Sequence, residues 1–198
     1  MKNIFAFFFG LIAFFAYGQE LPNIQWNSPH YEVIYSQEYE QPLAVAYRVC
    51  GIDGTASRKG IGFYTEEGVR TSDDADYYNN VWDKGHMAPA ASLNCEYRML
   101  QETFSYINCA LQHEKLNRGV WKSLEQRERE LSRKYDQMAD VFIEIDFTDN
   151  PTRVPGGAAI PYGFYKEIWV GDLRECYWFR NNVPKSDKIE DYKCKCRE

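Results

Sequence analysis

The sequence predicts a single α+β domain. Three observations carry that reading: a length suited to one core, a series of short β-prone runs, and one long amphipathic stretch between them. At 198 residues the chain suits one domain. It is 44% hydrophobic and 26% charged, with 13 Gly and 8 Pro, which excludes a disordered or collagen-like chain. Residues 19–30 read as a polar leader. Residues 31–35 and 43–49 alternate or run apolar around the loop SQEYEQP and predict two strands. Residues 50–80 are rich in Gly, Ser and Asp, with acids at Asp73, Asp74 and Asp76, and predict a long functional loop. Residues 103–110 are β-prone. Over 114–138, Leu116, Val120, Leu124, Leu131, Tyr135 and Met138 fall on one side at about 100° per residue and predict a helix. Further strands are predicted at 141–147, 158–161, 165–170 and 175–180, with a turn at DNPTRVPGG and a Lys-rich tail over 184–198.

The N-terminus predicts export. Lys2, the apolar run 4–16 and the small residues Ala16 and Gly18 have the form of a secretory signal over 1–18, with one domain over 19–198 and no stable membrane anchor after cleavage. Six cysteines in an exported chain suggest disulfides, with the pairing open; the Cys194-Lys195-Cys196 pair lacks a partner pair at zinc spacing. The net charge is −6, and −7 once Lys2 is removed. Such a balance excludes a basic coat for DNA, and on composition alone it argues against a nucleic-acid ligand.

The chain has three His, and the surroundings of His86 single it out. It lies in Trp82-Asp83-Lys84-Gly85-His86-Met87-Ala88-Pro89, where Gly85 allows close backbone approach to a ligand and Pro89 turns the chain away from helix. Lys84 beside an imidazole suits chemistry on an anionic oxygen: the imidazole takes a proton from water and the cation stabilises the growing charge. Downstream, Asn117 and Glu125 lie about 80° apart on an unbroken helix. As hard oxygen donors they suit a hydrated Mg²⁺ or Mn²⁺ ion; otherwise Asn117 caps the helix and Glu125 is a solvated acid.

The octet Asp83–Ala90 resembles the D-R-G-H-x-A-P signature of the DNA/RNA non-specific endonucleases, ββα-metal nucleases that include the endonuclease G-like enzymes. Asn108-x-x-x-Gln112 resembles the family's N-x-x-P-Q, and Leu116-Asn117-Arg118-Gly119-Val120-Trp121 with Leu124-Glu125 resembles its L-N-x-G-x-W-x-x-L-E. Residues 160–166 resemble its late V-P-x-x-F-Y-K segment, and 43–47 its early strand. The resemblance implies a mostly antiparallel central sheet with a long metal-site helix, and an activity that hydrolyses phosphodiester bonds of DNA and RNA to leave 5′-phosphate ends. It implies that His86 is the general base, Asn117 the one direct protein ligand of the ion, Glu125 the holder of its waters and Asn108 an orienting group. Lys84 stands where the family has Arg, and Arg58 is matched to an upstream Arg that stabilises the phosphate. A neutral His86 implies activity near or above pH 7.

Three departures stand out. Lys84 loses the planar fork of Arg. Thr148-Asp149-Asn150-Pro151 replaces the family's T-G-P at the expected cleft wall, and Cys109 lies beside the site, either bridged or buried. Arg118, Lys122, Arg129 and Arg133 fall within about 60° on an unbroken helix. They form either a basic stripe that guides a polyanion or an ordinary solvated face. The alternative function is a catalytically weak nucleic-acid-binding protein of the same fold.

Overall fold

The computed structural model describes residues 21–50 and 54–197. The export signal expected at 1–18 lies outside the described residues. Strands β1 (Asn23–Asn27), β2 (Tyr31–Ser36), β3 (Gln41–Arg48), β6 (Asp140–Asp146), β7 (Gly163–Val170) and β8 (Leu173–Arg180) form one antiparallel sheet in the order β1-β2-β3-β6-β7-β8. A separate hairpin pairs β4 (Trp82–His86) with β5 (Cys109–His113). The helical elements include α1 (Tyr97–Glu102), the short α2 (Glu114–Leu116) and α3 (Lys122–Tyr135).

Alternation builds the sheet. Tyr31, Val33 and Tyr35 of β2, Val45 and Tyr47 of β3, and Val141, Ile143 and Ile145 of β6 turn to one buried face. Each such side chain contributes about 1.5–3 kcal/mol on burial. Trp121, Leu124 and Leu131 close the core from the helix side, with the Trp121 ring 5.4 Å from Phe164 and 5.5 Å from Phe179. β7 is buried on both faces, because the C-terminal tail covers its outer side through the Cys176–Cys196 disulfide and the bond from the Arg197 amide to the Tyr165 hydroxyl.

Several expectations are corrected. Residues 23–27 are an edge strand, not a leader; only Ile24 and Trp26 pack on the core, too few to mark a strand by pattern. Residues 158–161 make only the isolated bridge Arg153↔Ala159, since Pro161 has no N–H to extend a ladder. Within 103–110, a 3₁₀ turn occupies Tyr106–Asn108 before β5 begins. The helix is shorter than predicted and broken. It stops at Tyr135 because Asp136 adopts the left-handed conformation, which leaves Tyr135 and Met138 exposed. At Asn117–Trp121 it loosens into a wide turn in which Gly119 is non-helical (φ −102°, ψ −119°). Angles computed for an unbroken helix therefore do not hold across Gly119.

The cysteines form Cys50–Cys95 and Cys176–Cys196, leaving Cys109 buried and Cys194 exposed as free thiols. Glu167, Cys176 and Cys196 are close enough to suggest a metal group, but the disulfide consumes both sulfurs.

Candidate active site

Two amides fix the β4–β5 hairpin to the large sheet. Gln41 Oε1 accepts the Leu111 N–H at 2.8 Å, and Asn181 accepts the His113 N–H and donates to the Leu111 carbonyl, each at 2.8 Å. Gly85 is required here for a reason other than ligand approach. A Cβ at Gly85 would lie 2.6 Å from both Cβ and Oε1 of Gln112, so the glycine serves the hairpin's packing.

His86 ends β4 opposite Cys109. Asn108, fully buried, holds the following turn: its Oδ1 accepts the Ala88 N–H at 2.8 Å, and its Nδ2 donates to the carbonyls of Ala88 and Thr103, each at 2.9 Å. The Met87 N–H also bonds the Asn108 carbonyl. Asn108 thus holds the turn after His86, as an orienting group does, and does not itself line the cleft. The His86 ring is packed by Phe63 (5.2 Å) and Phe104 (5.0 Å, edge-on), and its buried Nε2 has no hydrogen-bond partner among the described residues. Burial, followed by the nearby Arg58 cation, pushes the imidazole down to about 4. It is therefore neutral at pH 7, the form a general base requires.

An open cleft of about 570 Å³ brings together Arg58, Phe63, Tyr77, Asp83, Lys84, His86 and Asn117 among its walls. Four of the expected residues, Arg58, Lys84, His86 and Asn117, thus share one cavity although they span 60 positions of the chain. Asp83, assigned no role from sequence, orients the metal-ligand candidate. Its Oδ2 accepts from Asn117 Nδ2 at 2.8 Å, which leaves the amide oxygen as the ligating end. The same carboxylate takes the Arg118 guanidinium in a bidentate pair at 2.6 and 2.8 Å. The carboxylate three residues before the His was the available signal.

Lys84 is held on several sides. Its Nζ pairs with Asp74 and lies 4.8 Å from the Phe63 ring centroid, 5.4 Å from Tyr106 and 5.8 Å from Tyr77. Tyr106 Oη donates to the same Asp74 oxygen at 2.6 Å. These two hydrogen bonds, that from Lys84 first, hold the Asp74 carboxyl below its ordinary value.

Glu125 is not among the cleft-lining residues. Burial pushes its carboxyl up to about 7; Lys166 and Arg129 oppose that shift and Glu128 adds to it. Beneath it lies a buried cluster. Glu128 meets Lys166 Nζ at 2.6 Å and accepts from the Tyr47 hydroxyl at 2.9 Å and the Ser92 hydroxyl at 2.5 Å. Of the basic residues weighed as a stripe or a solvated face, three can be placed. Arg118 is paired to Asp83, Arg129 donates to Ser92 Oγ at 3.3 Å, and the break at Gly119 separates Arg118 from α3; Lys122 remains exposed beside Ser123 and Asp187. Thr148–Pro151 does not line the cleft, and Cys109 is buried rather than bridged.

The model of the DNA/RNA non-specific endonuclease family matches residues 12–198. Mitochondrial endonuclease G of Bos taurus is 31% identical over 156 residues, covering 70% of this chain and 52% of that protein. The mitochondrial nuclease EXOG of Danio rerio is 32% identical over 114 residues, covering 55% of this chain and 32% of its own. The chain thus spans about half the length, or less, of these curated relatives. A crystal structure of the EndoG/EndoGI complex shares the fold, with a TM-score of 0.76 at 23% identity over 90% of this chain and 83% of that one. With most of its length matched by the family's own model, the chain belongs to the DNA/RNA non-specific endonuclease family.

Proposed function

We propose that the chain is an exported metal-dependent endonuclease that hydrolyses phosphodiester bonds of DNA and RNA. The observation that carries the reading is the buried, partnerless Nε2 of a neutral His86 in a cleft shared with two cations and an oriented amide. A buried nitrogen without a partner is a costly arrangement unless a ligand or water completes it. His86 Nε2 takes the proton from the attacking water. Arg58 and Lys84 face the phosphate's charge, and Asn108 keeps the His86 turn in place.

The donor set fits a hard cation. Asn117 presents its oxygen because Asp83 holds its nitrogen, and the Asp83 carboxylate adds negative charge behind it. One neutral oxygen with water in the other positions suits Mg²⁺ or Mn²⁺. When bound, such an ion supplies Lewis-acid stabilisation of the phosphoryl charge and of the leaving 3′-oxygen, so that the product carries a 5′-phosphate. Export is supported by the apolar run at 4–16 and by two disulfides, which persist in oxidising compartments.

The test is cleavage of plasmid DNA and of a structured RNA with Mg²⁺, with chelator, and with metal restored. Chelator-sensitive, metal-restored cleavage of both is the expected result. Binding without such cleavage would instead establish the weak nucleic-acid binder.

A further inference from the structure

Lys84 poses a physical problem. It stands in the cleft where a rigid guanidinium would be self-aligned, yet a lysine ammonium sits on a flexible four-carbon stem with no preferred direction. The surroundings of Nζ supply what the side chain lacks. Phe63 and Tyr77, which both line the cleft, and Tyr106 present ring faces within 4.8–5.8 Å of Nζ. Cation–π attraction fixes the ammonium among them without using up conventional acceptors. The Asp74 carboxylate accepts from Nζ.

Asp74 is itself fixed. It opens the 3₁₀ turn Asp74–Tyr77, whose first turn is closed by a capping box between Asp73 and Asp76, and Tyr106 Oη donates to its Oδ1 at 2.6 Å. An ammonium has three N–H donors, and with one directed to Asp74, two remain for phosphate oxygens. Phe63 links this arrangement to the base, since its ring lies 4.8 Å from Lys84 Nζ and 5.2 Å from His86.

We propose that Asp74, Tyr106 and the Phe63 ring are positioning residues that hold the Lys84 ammonium toward the scissile phosphate. The inference rests on the phosphodiester-hydrolysis reading. In it, Asp74 acts through Lys84 and touches no reacting atom. Its loss lowers turnover more than it weakens substrate binding.

The experiment is a double-mutant cycle on the full chain with Asp74→Asn, Lys84→Ala and the pair. Plasmid nicking in Mg²⁺ is accompanied by NMR of the Lys84 ε-methylene protons. Asp74→Asn is expected to lower kcat about tenfold with little change in KM, as for loss of one oriented charged contact. In the Lys84→Ala background the same substitution is expected to change nothing further. The Lys84 ε-protons, shifted upfield by three rings in wild type, are expected to move toward their free position in Asp74→Asn. Asp74→Glu, which keeps the charge, is expected to recover part of the loss. An Asp74→Asn penalty that persists in the Lys84→Ala background, or full kcat in Asp74→Asn with unmoved ε-protons, overturns the proposal. A wild type that fails to cleave at all sinks the underlying hydrolysis reading, while the NMR arm still reports whether Asp74 holds Lys84.

Discussion

Two polar clusters lie on either side of the break at Gly119, and they are built on opposite principles. On the sheet side, Glu128 is fully enclosed and takes three partners: Lys166, Tyr47 and Ser92. On the cleft side, His86 Nε2 is buried with no partner among the described residues. A partnered buried network rigidifies, whereas an unpartnered buried group is unfavourable unless something else completes it. The first cluster holds α3 to β7; His86 faces the cavity where four expected site residues meet. Of the buried polar atoms without a hydrogen-bond partner among the described residues, His86 Nε2 is the one that lines this cavity.

The largest effect on stability should come from breaking the partnered cluster. Lys166→Met leaves Glu128 without its counter-charge and is expected to destabilise by roughly 3–5 kcal/mol, whereas Lys166→Met with Glu128→Leu should recover most of that. Urea unfolding of the single and double variants measures it. Equal destabilisation by both would remove the contrast between the clusters.

The pH dependence of metal-free stability should separate the two sides. His86 falls from 6.5 unfolded to about 4 folded. Between these values the unfolded chain binds the extra proton, so His86 makes stability rise with pH. Glu125 goes from 4.5 to about 7, so the folded chain holds the extra proton and stability falls as pH rises through that window. The two nearly cancel. His86→Gln is expected to leave stability falling from pH 4.5 to 7, and Glu125→Gln to leave it rising from pH 4 to 6.5, each by roughly 3 kcal/mol. Thermal melts in chelator across this range provide the check; parallel profiles for the two variants would refute the opposed assignment.

Asp83→Asn removes the charge that orients Asn117 and anchors Arg118. Apparent Mg²⁺ affinity in cleavage titrations is expected to weaken about 10–100-fold, as for other groups that orient a metal ligand, with cleavage recovered at high Mg²⁺. Gly85→Ala should be the mildest change. Its Cβ meets Gln112, and the expected loss is about 1–3 kcal/mol from overpacking, read as a lowered melting temperature.

The fold was legible wherever alternation was strong. β2, β3 and β6 fall at the predicted runs because a half-buried strand writes its face into every second residue; β7 and β8 also fall at theirs, β7 as a run buried on both faces. The edge strand β1 was not, since only Ile24 and Trp26 show its inner face. In the site, the motif around His86 and the pattern around Asn117 were readable because the chemistry restricts the residue types. Partnerships between distant residues were not. Asp83 with Asn117, Asp74 with Lys84, and Glu128 with Lys166 join segments between 10 and 38 residues apart, and only the folded arrangement of those segments brings them together. Gly119 also misled the reading of the basic residues, because a helical projection carries no information beyond a break.

The central claim is that the unpartnered imidazole performs the chemistry. Its most direct test is plasmid nicking in Mg²⁺ by wild type and His86→Ala, with thermal melts in parallel. The account predicts that His86→Ala keeps a cooperative melt and loses about 10²–10⁴-fold in cleavage rate. Undiminished nicking by the folded variant would contradict it.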